Sequence, residues 1–221
     1  MIGGNAVARY RIQKSVVADV RAAVGEHLRL NHVLMLEKWT KVIFWCLLGC
    51  GIPVLFGFGL GSLGMMLGAC YGFYQMRVVA EEFVWVAGLG VAATAIATQI
   101  WFGTKETGYI VFRSLEIIVL VVLMTKRQCV AYARALEGID GRLAGKWRKQ
   151  WKLLRIGVLV PLGTFILSML FMFTNLGVFS ALAGAVMVCI LMIREFVLLR
   201  RTMAVCRTYV RRKFMVDSLG I

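Results

Sequence analysis

The stretch IGVLVPLGTFILSMLFMFTNLGVFSALAGAVMVCILMI, from Ile156 to Ile193, contains no Asp, Glu, Lys or Arg. A bilayer core about 30 Å thick takes about 20 apolar helical residues to cross, so this run is long enough to cross twice, turning back near Thr174-Asn175. Lys152 and Arg155 precede it and Arg194 follows it. An uncharged double crossing with cations at both ends reads as a membrane hairpin, and the rest of the chain repeats the pattern.

Working outward, further apolar stretches run from Val42 to Leu60, Ser62 to Met76, Phe83 to Phe102 and Tyr109 to Thr125. With Ile156 to Thr174 and Leu176 to Ile193 they predict an all-α, polytopic membrane protein of about six transmembrane helices in hairpins, with basic amphipathic cytoplasmic helices. Ser62 to Met76 is the weak member, because helix rises only 1.5 Å per residue. Residues 42–76 therefore read as a short hairpin turning at Gly59-Leu60-Gly61 or as a re-entrant loop. The organisation expected is a basic amphipathic arm (1–41), hairpins at 42–76 and 83–125, a basic loop (126–155), a third hairpin (156–199) and a basic tail (200–221).

Composition agrees. The 221 residues are 60% hydrophobic, with mean hydropathy +0.79 and a net charge of +15, which excludes an ordinary soluble domain. Apolar and basic residues are segregated: the arm carries seven Lys or Arg, the turn after the second stretch one, the central loop nine, and the tail together with Arg194 seven, or 24 of 26. Lysine and arginine accumulate on the cytoplasmic side, so both termini are expected there, in a bacterial inner membrane. No signal-peptide h-region precedes Lys41, and the first span is expected to act as the insertion signal. The six cysteines lie in spans or on the basic side, where thiols stay reduced, so no disulfide framework is expected.

An internal parallel repeat is also expected. Val17, Ala18, Arg21, Ala22, Gly25, Arg29 and Leu30 recur in register as Val130, Ala131, Arg134, Ala135, Gly138, Arg142 and Leu143. Lys38-Trp39-Thr40-Lys41 then matches Lys146-Trp147-Arg148-Lys149, with Pro53 and Pro161 following at equal distance. Trp39 and Trp147 read as interfacial anchors, since amphipathic aromatic rings favour the headgroup layer. Pro53 and Pro161 read as helix kinks, because proline removes a helix hydrogen bond.

Gly57, Gly61, Gly64, Gly68 and Gly72 recur at four-residue or near four-residue spacing, a face on which helices approach closely in lipid. They are candidates for packing within the chain or between copies. Arg113 and Glu116 are the charge pair deepest inside a span, and three-residue spacing puts them on one helical face. Intramembrane charge is a functional candidate by default. No catalytic, metal or cofactor signature is recognised: Cys46 and Cys50 have no partnering His, Asp or Glu nearby, and His27 and His32 sit on poorly matched faces of the arm. Glu137-x-x-Asp140-Gly141-x-x-Ala144 resembles the opening of the CDP-alcohol phosphotransferase signature. It departs from that family at Gly145, which stands where the family has an Arg, and no Asp lies between Asp140 and Asp217.

The expected function is that of a noncatalytic inner-membrane subunit of a multiprotein assembly, such as a secretion or conjugation apparatus. The alternative is a small oligomeric transporter or channel working through Arg113 and Glu116. Anionic lipid is the expected partner of the basic face, worth about 1 kcal/mol per basic residue near the surface. Protein partners or a second copy are expected on the glycine faces. Nucleic acid is not expected.

Overall fold

A computed structural model of the chain describes residues 3–55, 59–103, 106–170 and 174–219. Six helices follow one another: α1 (Gly3–Leu55), α2 (Gly59–Gln75), α3 (Glu82–Phe102), α4 (Thr107–Leu136), α5 (Gly141–Leu170) and α6 (Thr174–Leu219), with a 3-10 turn at Met76–Val78. Among the described residues there is no strand. Among the described residues, three helices are long and apolar enough to cross a membrane: Glu82–Phe102, Thr107–Leu136 and Gly177–Met215.

Each helix packs on the next, and α6 returns to α1, so the six form a closed ring. Every neighbouring pair is antiparallel. Along α1 and α2, Gly49 faces Met65 and Gly72 faces Ile43, one number rising as the other falls. Tyr132 of α4 stacks on Trp147 of α5, while Lys126 lies over Trp151 further along. The ring closes where Phe44 meets Phe196 edge to face, 5.6 Å between centroids, and where Arg207 donates to Glu37 at 3.1 Å. Lys213 and Glu26 pair beyond them. The start of α1 and the end of α6 therefore lie at one end of the bundle, with the turns 76–81 and 137–140.

That end holds the core. Leu36, Phe73, Met76, Phe83, Tyr132, Leu136, Trp147, Leu199 and Cys206 are all buried there, drawn from every helix. Toward the opposite end large apolar side chains face outward, Phe112, Val119, Phe179, Leu182 and Ile193 among them, with Phe179 70% exposed. A continuous apolar exterior of this kind is stable in lipid, where helix association comes from close packing rather than from escape from water.

The structure departs from the expected boundaries in three places. The basic segments are helical, as their amphipathic pattern leads one to expect, but they continue α1, α4, α5 and α6 without a break instead of forming separate units. At about 1.5 Å per residue, the 53-residue α1 is about 80 Å long and the 46-residue α6 about 69 Å, well past the hydrocarbon thickness. Residues 126–155 are the end of α4, a turn at 137–140 and the start of α5. Second, the reversal expected at Gly59-Leu60-Gly61 is not there, because those residues open α2; residues 56–58 lie outside the described residues. Third, the matched stretches fold differently: 17–30 is unbroken helix, whereas 130–143 crosses a turn containing Gly138. Asp140 ends that turn, its Oδ1 accepting the backbone N–H of Arg142 at 2.9 Å and of Leu143 at 3.0 Å. This is the N-cap that starts α5, and it accounts for the aspartate of the phosphotransferase-like octet.

Candidate functional site

Arg113 and Glu116 meet as the spacing predicts, Nη1 donating to Oε2 at 2.7 Å. The guanidinium also sits 5.4 Å from the Tyr109 ring centroid. The pair occupies a shallow groove with Ile96, Phe112 and Val119, and both side chains remain about one-third exposed. Arg113 Nε is buried there without a hydrogen-bond partner. The two charges neutralise each other on the outside of α4, away from the interior of the ring.

The glycines divide by environment. A Cβ on Gly72 would lie 2.8 Å from Ile43 Cγ1, and one on Gly68 3.1 Å from Cys46 Sγ, so these two let α1 and α2 approach within the chain. Gly64 has nothing within 4 Å of that position, and Gly61 is exposed. Gly57 lies outside the described residues. A closer approach is at Gly90, where a Cβ would stand 2.6 Å from Cys70 Sγ and bring α3 into conflict with α2.

Helix α5 runs through Pro161, whose carbonyl accepts the Ser180 hydroxyl of α6 at 2.7 Å. Pro53 lies within α1, two residues before its described end. The two tryptophans part company. Trp39 is half-buried, edge to face with Tyr71 at 5.6 Å. Trp147 is fully buried, stacked on Tyr132 at 4.5 Å with a 13° angle between rings, and its indole N–H donates to the Thr202 hydroxyl at 3.1 Å. An enclosed indole presents no surface to a headgroup layer. Tyr132 reaches onward to Thr40 of α1, hydroxyl to hydroxyl at 3.3 Å, so one polar-aromatic chain crosses the ring from α1 through α4 and α5 to α6.

Next to this chain lies a partly open chamber of about 580 Å³ between the helices, within the roughly 300–1,000 Å³ typical of small-molecule sites. Leu47 of α1, Met66 of α2, Val121 of α4 and Phe196 of α6 contribute one wall each. Its polar end is formed by Gln128 and Glu195, with Gln128 Nε2 donating to Glu195 Oε1 at 2.8 Å. Helices α4 and α6 are not neighbours in the ring, so this hydrogen bond bridges them at one end of the chamber.

Glu195 and Gln128 were not among the residues singled out by spacing. Ending the apolar run at Ile193 left Glu195 as a charge just past its end. The available signal was the seam: Leu191, Glu195, Leu198 and Thr202 fall at four- and three-residue steps, which places them on one helical face, and Leu191, Leu198 and Thr202 are buried.

Elsewhere at the basic end, acidic residues are taken up by cations: Glu82 with Arg134, Glu137 with Arg148, Glu37 with Arg207 and Glu26 with Lys213. Many more cations face outward, among them Arg29, Lys41, Arg127, Arg142, Lys149, Arg200 and Arg211. Among the described residues no three His, Cys, Asp or Glu side chains come together as a metal site. Compared with protein-family models, with curated proteins and with solved structures, the chain matches none.

Proposed function

We propose that the chain is a noncatalytic, six-span subunit of a multiprotein assembly in a bacterial inner membrane, such as a secretion or conjugation apparatus, with both termini in the cytoplasm. The observation that carries this reading is the continuity of α1, α4, α5 and α6 from apolar segments into a jointly packed basic end. Spans that served only as anchors would need no shared core beyond the bilayer. A rigid, cation-studded platform of this kind suits docking of an acidic partner domain or of anionic lipid, because electrostatic complementarity speeds and orients association. The exposed Val24 and Phe214 add apolar contact area near the same platform.

Solubilisation from native membranes in mild detergent should yield the chain with stoichiometric partners, lost on raising salt if charge holds them. Recovery of the chain alone at every salt concentration would count against the assembly.

The second reading is a small transporter or channel. The Arg113–Glu116 pair supports it less than the chamber does, since the pair is self-neutralised on the outer face of α4 and the chamber lies inside the ring.

A further inference from the structure

We propose that the central chamber is a binding site for a lipophilic organic cation, an ammonium-type ligand whose charge meets the Glu195 carboxylate and whose apolar body fills the space between α1, α2, α4 and α6. Such a site exists whether the chain works alone or within an assembly.

The chemistry of the walls limits the occupant. Among the described residues, Glu195 is the one charged residue lining the chamber. Glu26, Glu37, Glu82, Glu116 and Glu137 each have a Lys or Arg partner, whereas among the described residues no Lys or Arg pairs with Glu195. A carboxylate in apolar surroundings without a countercharge is costly, and a cation brought beside it offsets that cost. The Gln128 amide occupies one carboxylate oxygen and holds the group toward the chamber. A ligand bearing phosphate or carboxylate would meet this acid with no cation to balance it, which excludes an anionic headgroup. A divalent metal ion needs several oxygen ligands, and the remaining lining is hydrocarbon and sulfur apart from Gln128. What fits is one positive charge on a bulky apolar body.

The competing occupant is a lipid acyl chain, which needs only the apolar walls. Tritiated tetraphenylphosphonium is titrated onto the full chain in phosphatidylcholine nanodiscs, with empty nanodiscs subtracted, and is then competed with decylammonium and with decanol. Saturable binding of one cation per chain is expected, displaced by decylammonium and not by decanol. Glu195→Gln should weaken binding by about thirtyfold or more, the scale for removing one partner of an enclosed charge pair. Met66→Trp, which narrows the chamber and leaves the acid in place, should also weaken it. Binding no greater than to empty nanodiscs, equal displacement by decanol, or undiminished affinity of a monodisperse Glu195→Gln protein would each overturn the proposal. Should Glu195→Gln not yield folded protein, the contrast between decylammonium and decanol on the wild-type chain decides alone.

Discussion

Tyr132 and Trp147 stack at 4.5 Å across the turn that joins α4 to α5, and both are fully buried. The pair lies in a segment whose hydropathy marks it as a basic loop. Its burial means that the basic end is a folded layer with its own core, and that the helices beyond the apolar segments contribute to stability.

Trp147→Ala should therefore be among the most damaging single changes, costing about 3–5 kcal/mol as for other large buried aromatics. Thr202→Val should cost less, about 1–3 kcal/mol, by leaving the buried indole N–H without its acceptor. Thermal unfolding followed with a thiol-reactive dye would report both, because Cys129 and Cys206 are buried until the layer opens. Trp39→Ala, at a half-buried position, should shift the midpoint less than Trp147→Ala; the reverse order would contradict the placement of the core.

Gly72→Leu should destabilise the α1–α2 contact by about 1–3 kcal/mol, the usual cost of overpacking, since Ile43 already occupies the space. Gly64→Leu should leave the thermal midpoint unchanged because nothing faces that position. If Gly64→Leu instead alters the elution volume without altering stability, that part of the face joins two copies.

For Arg113 and Glu116, each single alanine substitution should lower stability in the membrane by leaving one charge without its partner. The double substitution should recover much of the loss. A double mutant no better than the sum of the singles would mean the pair is not coupled as its 2.7 Å geometry implies.

The orientation can be read with an impermeant thiol reagent in a cysteine-free background. Glu106→Cys should label from outside intact cells, and Gly138→Cys only after permeabilisation. Both residues are exposed at opposite ends of the bundle, so outside labelling at Gly138 would invert the assignment made from the basic residues.

Several features were legible residue by residue. The three-residue spacing of Arg113 and Glu116 does place them in contact, because helix geometry alone brings such side chains to one face. Gly68 and Gly72 likewise meet a neighbouring helix. Trp147 was misjudged because a Trp flanked by lysines looks the same whether it borders lipid or is covered by another helix. Glu195 was missed because a charge after an apolar run ordinarily marks the end of a span.

By itself the sequence determined the helical class and the segregation of apolar from basic segments. These follow from hydropathy and charge, which act locally and accumulate along the chain. Only the tertiary structure decided that α6 closes on α1, that Trp147 is enclosed, and that Gln128 and Glu195 meet at one end of a chamber. Those outcomes depend on which face each helix turns inward, and that is settled by the simultaneous packing of six antiparallel neighbours.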